Sequence, residues 1–528
     1  LSISHLCTQV IKCARMEKNM KFIVRGKEFT METIAEGLGT AWQWLMDNIL
    51  FINLILSIII VFFQRRDPKT VWLLALYFIP GFGILFYLLF GQDFRKSKMF
   101  RIKKLEDQMG SSIRSQEEIL RNFNHENMDD PLVRDYGDLI MYNLKTSGSV
   151  LTVHNDVKVF SDGEAKFEDL RKSLRQAQKF IHIQYYIIKN DELFDSIVPI
   201  LIDRVRNGVE VRILYDGMGG RFMPKKRWEE LKQAGVKVGV FFPALLGRLN
   251  LRVNYRNHRK IVVIDGTVGY VGGFNIGREY ISRDPKFGYW RDTHLKITGD
   301  AVISLQIRFA LDWNYAAHEN LFQTPSYFDS PYRNGLVKAM QEEGKRLVAI
   351  QIIASGPDTA DRQIRNNYLE LFHKARKSIY IHTPYFVPDD AVLSALRIAA
   401  RSGVDVRLMI PCKPDHPFVY WATYSYAGDL IEAGAKCYVY DNGFLHAKGV
   451  MVDGRVSSYG TANMDIRSFE LNFEVNATIY DETITQQLEQ EFMNDLKHCR
   501  EITKEVYESR SLLIRIKEQG SRLLSPLL

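Results

Sequence analysis

Cysteine is scarce in this sequence, and its spacing argues against two common kinds of site. The 528 residues contain five cysteines, an odd number, with no Cys-x-x-Cys pair. Neither a disulfide framework nor a zinc site is indicated, which suits a reducing compartment. The five are Cys7, Cys13, Cys412, Cys437 and Cys499.

The sequence also lacks a large excess of charge of either sign. Lys and Arg total 70 against 62 Asp and Glu, a net charge of +8, and the apolar fraction of 46% is close to the globular average. Extensive disorder is therefore not expected. The small basic excess favours an anionic partner, and membrane surface, nucleic acid and phosphorylated metabolite all stay open on charge alone.

Long hydrophobic runs are concentrated between residues 42 and 92. Residues 45–63 and 71–90 are largely apolar, and about 20 such residues match the hydrocarbon thickness of a bilayer. We predict two transmembrane helices joined as a hairpin. A cleaved signal peptide is the alternative, but it would lie at the extreme N-terminus and have a single apolar core.

Basic residues flank both predicted spans more heavily than the loop between them. Six stand in the flank before the first span and six in the flank after the second, against three in the loop. By the positive-inside rule, both ends of the hairpin lie in the cytoplasm. The rest of the chain is then predicted to be cytoplasmic as well.

One short motif occurs twice. Residues 257–265 and 445–453 both contain His-x-Lys-x-x-x-x-Asp, and a Gly and an Asn follow 14 and 17 residues after each His. Four matches at fixed offsets have a chance probability on the order of 10⁻⁵ for any one pair of histidines. The sequence therefore predicts a duplicated half-site with two histidines facing each other. The copies comprise His258, Lys260, Asp265, Gly272 and Asn275, and His446, Lys448, Asp453, Gly460 and Asn463.

The part of the chain that carries the motifs alternates short β-rich runs with amphipathic helical runs, and the order repeats. Such alternation predicts two α/β lobes, each a mixed sheet covered by helices, related by a pseudo-twofold axis. The predicted segments are 1–41, a flexible N-terminal extension; 42–92, the hairpin; 93–150, a basic flank and helical connector; 151–330 and 331–500, the lobes; and 501–528, a C-terminal helix and tail.

Residues that favour an extended backbone follow each motif histidine, so we predict that the motif is a strand. Residues two apart share one face of a strand, which places each His beside its Lys. Each half-site then supplies a proton-handling nucleophile and a cation, and two half-sites form a pocket for a phosphate. Asn275 and Asn463 add neutral hydrogen bonds to the phosphate oxygens.

The motif aspartates are not expected to touch the phosphate. Asp265 and Asp453 stand seven residues after their histidines, an odd offset, so they face away and brace the strand. The acids that orient the imidazoles must come from elsewhere. Asp292 and Glu474 occupy corresponding places in the two repeats, and a carboxylate on one ring nitrogen fixes the tautomer.

No cluster of carboxylates with hard-metal spacing accompanies the motif, so the sequence predicts neither a metal nor a cofactor. In the predicted mechanism one imidazole attacks phosphorus and forms a phosphohistidine. The other, protonated, gives its proton to the departing alkoxide and then deprotonates the incoming alcohol.

With these motifs the sequence resembles the phospholipase D superfamily and, within it, the bacterial cardiolipin synthases. The resemblance covers Trp42 to Leu528 and implies an α/β fold of two phospholipase D-like lobes behind a transmembrane hairpin. It is carried by the duplicated motif and by four further stretches. These are Arg65-Arg66-Asp67-Pro68, residues 287–294 (FGYWRDTH), residues 413–422 (KPDHPFVYWA) and residues 460–469 (GTANMDIRSF).

The resemblance implies an enzyme of the bacterial cytoplasmic membrane that joins two phosphatidylglycerol molecules into cardiolipin and releases glycerol. It implies the catalytic set His258, Lys260, Asp265, His446, Lys448 and Asp453, with His258 favoured as nucleophile by analogy. The residues alone do not distinguish the two histidines, and they leave the oligomeric state open.

Other activities use the same half-sites. A membrane-bound phospholipase D-type hydrolase and a phosphatidylserine synthase are the alternatives. A nuclease is less favoured, because it needs no membrane hairpin and would carry an extended basic groove with stacking aromatic residues. We expect anionic phospholipids and the membrane as partners, and no nucleic acid.

Overall fold

The structure is a computed structural model of the whole chain, and its description covers most of residues 130–525. The described residues are 21–24, 27–30, 39–40, 43–44, 47–49, 51–55, 73, 76–77, 83, 130–221, 223–243, 255–328, 333–344, 346–359, 361–413 and 415–525. The chain divides into two compact units, Leu1–Asp93 and Phe94–Leu528.

The first unit contains one described β-hairpin, within the segment predicted to be a flexible extension. Strand β1 (Lys21–Val24) pairs antiparallel with β2 (Lys27–Thr30). Most residues of the two predicted spans, 45–63 and 71–90, lie outside the described part of the chain. Among the residues that are described, no helix has the length and apolarity needed to cross a bilayer.

The described part of the second unit is built on one 16-stranded sheet and two separate two-stranded sheets. Its first half contributes β3 (Leu151–Phe160), β4 (Phe180–Tyr185), β5 (Glu210–Asp216), β6 (Lys237–Phe241), β7 (Arg256–Asn257), β8 (Ile261–Ile264), β9 (Val268–Gly272), β10 (Trp290–Arg291) and β11 (His294–Gly299). Its second half contributes β12 (Val348–Ser355), β13 (Ser378–His382), β14 (Phe386–Val387), β15 (Asp405–Pro411), β16 (Lys436–Tyr440), β17 (Phe444–Leu445), β18 (Gly449–Val452), β19 (Val456–Gly460), β20 (Met464–Asp465), β21 (Asn472–Tyr480) and β22 (Cys499–Glu501).

Helices connect these strands. They are α1 (Pro131–Asp135), α2 (Gly137–Ser147), α3 (Gly163–Gln176), α4 (Glu192–Arg206), α5 (Lys225–Gln233), α6 (Val302–Ala317), α7 (Arg333–Glu342), α8 (Gln363–Lys374), α9 (Asp390–Arg401), α10 (Pro417–Glu432), α11 (Ile466–Glu470), α12 (Glu482–Leu496), α13 (Lys504–Glu508) and α14 (Leu512–Leu523). Several begin at an aspartate whose carboxylate accepts a first-turn N–H, which fixes the start of the helix. Asp162, Asp191, Asp389 and Asp481 act in this way.

The two halves of the sheet have the same strand order. We call residues 151–317 the first lobe and residues 348–501 the second lobe. From the middle outwards the first lobe runs β3, β11, β9, β8, β4, β5, β6, and the second runs β12, β21, β19, β18, β13, β15, β16, with β22 added at its edge. Antiparallel pairing of β3 with β12 joins them. The matched order is the pattern that a duplicated α/β unit produces.

Three apolar clusters cover the sheet. One lies in the first lobe between the sheet and α3 and α4, and one lies in the second lobe under α8, α9 and α10. The third contains residues of both lobes, including Phe309 of α6 and Phe492 of α12. Because this third cluster is shared, burial of apolar surface holds the lobes together.

Short strands cross from one lobe to the other. β7 of the first lobe pairs parallel with β21 of the second, and β10 of the first lobe pairs parallel with β17 of the second. Each motif histidine directly follows one of these crossing strands. The duplicated motif therefore lies where the lobes meet.

Candidate active site

Each His-x-Lys segment lies between two strands and not on one, which corrects the prediction that the motif is a strand. His258 to Lys260 connect β7 to β8, and His446 to Lys448 connect β17 to β18. The reason is a change of partner. The chain pairs with the other lobe before the histidine and with its own sheet after the lysine, so the residues between belong to neither ladder.

Each imidazole contacts a carboxylate that belongs to the opposite lobe. His258 Nδ1 lies 3.0 Å from both carboxylate oxygens of Glu474. His446 Nδ1 lies 2.6 Å from Oδ2 of Asp292. Since an ionised carboxylate only accepts hydrogen bonds, these contacts favour the tautomers that carry the proton on Nδ1 and leave Nε2 as the basic nitrogen.

The two carboxylates are supported differently. Glu474 accepts hydrogen bonds from Thr461 Oγ1 at 2.6 Å and from Asn472 Nδ2 at 3.2 Å. Asp292 accepts from the backbone N–H of Thr293 at 2.7 Å. It also needs Gly273, because a Cβ there would lie 1.9 Å from Asp292 Oδ1. Both acids are thus fixed in position before any substrate arrives.

The two lysines are fully buried beside the imidazoles. Lys260 Nζ donates to the carbonyl oxygen of His258 at 2.7 Å, and Lys448 Nζ donates to that of His446. Lys448 Nζ is also 3.9 Å from Asp292 Oδ2. It lies 2.8 Å from His446 Nδ1 as well. The contact between lysine and histidine carbonyl is thus common to both half-sites, and each ring has an ammonium beside it.

Burial sets the protonation of these groups. It lowers the pKa of Lys260 to about 7 and that of Lys448 to about 8, and the nearby carboxylates oppose the shift. Burial, with the neighbouring lysine, lowers the pKa of His446 to about 4, and the pKa of His258 is lowered chiefly by burial. Burial raises the pKa of Glu474, but the adjacent His258 and Lys260 bring it below its ordinary value.

The half-sites act on each other electrostatically. Lys448 contributes to the lowered pKa of His258, and Lys260 contributes to the lowered pKa of His446. The imidazole side chains keep 12% and 10% of their surface exposed, whereas both acids have none. Each ring therefore keeps an exposed edge with its acid behind it, and the two half-sites are close enough to influence each other's protonation.

Asp265 and Asp453 lie at the far ends of β8 and β18, at the turns that follow the strands. Asp265 accepts the backbone N–H groups of residues 178, 179 and 180 at 2.8 to 2.9 Å. Asp453 accepts those of residues 376, 377 and 378 in the same way. These contacts tie each motif strand to the start of its neighbour, so the geometry gives both aspartates a bracing position.

Replacing Asp265 by alanine is expected to lower the free energy of unfolding by about 2 kcal/mol, because three backbone donors lose a charged acceptor. The rate per folded molecule should stay near wild type. Thermal unfolding measures the loss of stability, and the rate divided by the concentration of folded protein measures the second effect. Asp265→Asn is the matched control, since it tolerates the left-handed backbone at φ 53° and keeps one acceptor, and its loss should be smaller. A large fall in rate without a loss of stability would contradict this position.

The paired asparagines are both buried, but their amides are used differently. Asn275 Oδ1 accepts from Ile187 N at 3.1 Å, and its Nδ2 donates to Tyr280 Oη at 3.1 Å. Asn463 Oδ1 is buried without a hydrogen-bond partner. The two residues are therefore not equivalent, although their offsets from the histidines are.

The repeated glycines have a common steric cause. A Cβ on Gly272 would lie 2.5 Å from His294 Cα, and one on Gly460 would lie 2.2 Å from the carbonyl oxygen of Val475. Gly272 therefore lets the backbone just after Asp292 approach closely, and Gly460 does the same for the strand that carries Glu474. The glycine 14 residues after each His serves the placement of Asp292 and Glu474.

Two buried arginines at the site were missed by sequence reasoning. Arg259 bonds both oxygens of Asp312 at 2.6 and 2.7 Å, and it donates to the carbonyl oxygen of Glu474 at 3.1 Å. Arg291 pairs with Asp495 at 2.8 Å and donates to the carbonyl oxygen of Asp292. A signal existed for Arg259, which fills the variable position of the first motif where the second has Ala.

Aromatic rings line the imidazoles on each side. The ring of Tyr186 meets that of His258 edge-on with centroids 5.1 Å apart. The indole of Trp290 lies 5.0 Å from the His446 ring. These contacts restrict rotation of the imidazoles and exclude water from one side of each.

No group of three or more His, Cys, Asp or Glu side chains has a metal-binding arrangement in the described ranges. The prediction that catalysis needs no metal is tested by a chelator experiment below.

Comparison with family models matches most of both lobes. A model described as "Cardiolipin synthase, PLD-like domain" matches residues 170–286 and 368–496. A second, described as "Phospholipase D-nuclease N-terminal", matches residues 51–92. The first model thus covers both copies of the motif.

Similar proteins span nearly the whole chain. The major cardiolipin synthase of Bacillus subtilis (strain 168) is 47% identical over 492 residues, which are 92% of this chain and 99% of that protein. A cardiolipin synthase of Staphylococcus aureus (strain N315) is 47% identical over 482 residues, 90% of this chain and 95% of that protein. Among solved structures, phosphatidylserine synthase of Haemophilus influenzae Rd KW20 aligns with TM-score 0.57 at 15% identity, covering 75% of this chain and 100% of that one. The last likeness shows a shared fold.

Proposed function

The chain belongs to the bacterial cardiolipin synthase family of the phospholipase D superfamily, and we propose that it joins two phosphatidylglycerol molecules through a phosphohistidine. As a member of that family it is a phosphatidyltransferase. The observation that carries the proposed mechanism is the pair of crossed imidazole–carboxylate contacts. They supply two oriented Nε2 atoms, each with a buried ammonium group beside its ring.

In the first half-reaction, Nε2 of His258 attacks the phosphorus of one phosphatidylglycerol. A P–N bond forms and the bond from phosphorus to the glycerol oxygen breaks. His446 gives its Nε2 proton to the departing alkoxide, so glycerol leaves neutral. Glu474 keeps the Nδ1 proton of His258 in place and stabilises the positive charge that develops on the ring.

In the second half-reaction, His446 Nε2 takes a proton from the free glycerol hydroxyl of a second phosphatidylglycerol. The resulting oxygen attacks phosphorus and the P–N bond breaks. Cardiolipin leaves and His258 returns to its neutral form. Two phosphatidylglycerol molecules are thus converted into one cardiolipin and one glycerol, with both histidines restored.

The substrate itself completes the charge balance of the site. Lys260 and Lys448 are held at lowered pKa by burial, and an entering phosphodiester anion favours their charged forms. The same negative charge raises the pKa of His446 and allows it to carry the proton that the first half-reaction needs. The ammonium groups then neutralise charge on the non-bridging oxygens in the transition state. We propose that Asn463 and Asn275 complete the lining by donating hydrogen bonds from Nδ2 to the phosphate oxygens.

The proposed membrane attachment favours a lipid substrate over a nucleic acid. We propose that residues 45–63 and 71–90 form two spans in the bacterial cytoplasmic membrane, with the lobes on the cytoplasmic side. A phospholipase D-type hydrolase or a phosphatidylserine synthase would use the same imidazoles with water or serine as acceptor.

For the domain organisation, we propose that residues 151–330 and 331–500 are the two repeats.

The reaction is tested by incubating the purified full chain with phosphatidylglycerol vesicles in EDTA. Cardiolipin and glycerol in equal amounts are the expected products. Phosphatidic acid as the main product would favour the hydrolase, and activity that is lost in EDTA and restored by added metal would overturn the metal-free mechanism.

Rapid acid-free quenching followed by peptide mass spectrometry should place the phosphatidyl group on His258. A modified His446 would exchange the two roles.

A further inference from the structure

Helix α14 places polar side chains against the protein and apolar side chains in solvent. On the inner side Glu518 is fully buried and Ser521 is 3% exposed. Four large apolar residues face outwards: Leu512 is 73% exposed, Leu513 62%, Ile516 59% and Leu523 71%. A surface helix of a globular protein has the opposite arrangement.

Polar contacts hold this helix against the segment that precedes it and against α10. Glu518 pairs with Arg510 at 2.9 Å. Arg522 pairs with Asp429 of α10 at 2.6 Å, and its guanidinium lies 4.2 Å from the ring centre of Tyr426. The exposed apolar residues take no part in these contacts. These apolar residues therefore face solvent on a helix that is held in place by its polar side.

The outward residues form one stripe with a cation on each side. Positions 512, 513, 516 and 523 fall within one arc of a helix with about 3.6 residues per turn. Lys517 and Arg515 project on opposite sides of that arc and are exposed. Lys517 lies 5.3 Å from the Trp421 ring centre, so its charge stays at the border of the stripe.

We propose that this stripe, Leu512, Leu513, Ile516 and Leu523 with its flanking Arg515 and Lys517, docks in the plane of an anionic bilayer surface. Apolar side chains enter the boundary between headgroups and acyl chains, and flanking cations reach anionic headgroups. The two flanking cations favour a lipid surface over a second copy of the chain, which would have to bury them. This inference rests on the proposed function in one respect, the choice of phosphatidylglycerol as the anionic lipid.

A photo-crosslinking experiment tests the contact directly. Benzophenone-alanine is placed at Leu513 or Ile516 in the full chain, which is reconstituted into vesicles of phosphatidylglycerol and phosphatidylcholine. Mass spectrometry should find lipid adducts at both positions, with phosphatidylglycerol in excess over its share of the vesicle. Ile398, an exposed apolar residue of α9 (65%), is the matched control and should give few. Crosslinked dimers, or adduct yields equal to those at position 398, would overturn the proposal.

A second measurement does not depend on crosslinking. The double variant Leu513→Ser with Ile516→Ser should lower the rate at a low phosphatidylglycerol mole fraction by about tenfold and leave the saturating rate unchanged, because surface affinity is lost and chemistry is not. Ile398→Ser should behave as wild type, and an unchanged rate in the double variant would overturn the proposal. Lipid adducts also form in a His258→Ala background, so failure of the proposed reaction would leave this contact measurable.

Discussion

Alanine at His258 or at His446 is expected to reduce cardiolipin formation by about 10⁴-fold or more, with the fold retained. One ring forms the bond to phosphorus and the other moves the protons, so neither can replace the other within one site. The measurement is the initial rate with labelled phosphatidylglycerol, together with thermal unfolding. His498→Ala is the control, because that histidine is exposed and belongs to neither motif. Substantial turnover by either active-site variant would contradict the shared site.

A substrate that needs no proton at its leaving group separates the two roles. With the phosphatidyl ester of p-nitrophenol, His446→Ala should still release one nitrophenolate per enzyme in a burst, because that anion departs unaided. His258→Ala should give no burst, since no bond to phosphorus can form. A burst in His258→Ala and none in His446→Ala would reverse the assignment.

The crossed carboxylates give the second large effect. Glu474→Gln and Asp292→Asn should each lower turnover of phosphatidylglycerol by about 10³- to 10⁴-fold, because an amide stabilises the wrong tautomer of its imidazole. Both replacements keep the size of the side chain, which matters at positions with no exposed surface. The exposed Glu501→Gln is the control and should leave the rate unchanged.

The nitrophenyl ester also tests which acid serves which ring. Asp292 contacts His446, so Asp292→Asn should harm the natural substrate far more than the activated one. Glu474 contacts His258, so Glu474→Gln should harm both substrates alike. If Asp292→Asn slowed the burst as severely as Glu474→Gln, the crossed pairing would be incorrect.

Much of the α/β architecture was predictable because it follows from local patterns. Alternating apolar runs and helical runs identify most strands and helices of both lobes, such as β4 and β5 with α4 after Phe180. The doubled motif identifies His258 and His446 because an exact spacing repeated twice is improbable by chance. These inferences need only residues that are close together in sequence.

The crossing of the acids was not predictable in the same way. Asp292 and Glu474 can be singled out by their matching places in the repeats, yet nothing in the sequence says which histidine each one meets. That depends on β7 pairing with β21 and β10 pairing with β17, contacts between residues about 150 to 220 positions apart. The strand prediction was confirmed for the residues after each motif lysine, which form β8 and β18. It was wrong for the His-x-Lys positions for the same reason, because a change of pairing partner is a property of the assembled sheet.

The β3–β12 ladder that joins the lobes has a kinetic consequence. Rotation of one lobe away from the other would break this ladder and expose the shared apolar cluster, so separation of the lobes is a costly way to admit substrate. In the proposed mechanism we therefore expect both phosphatidylglycerol headgroups to react at the same place in turn. Glycerol would then leave before the second headgroup enters, and we expect ping-pong kinetics.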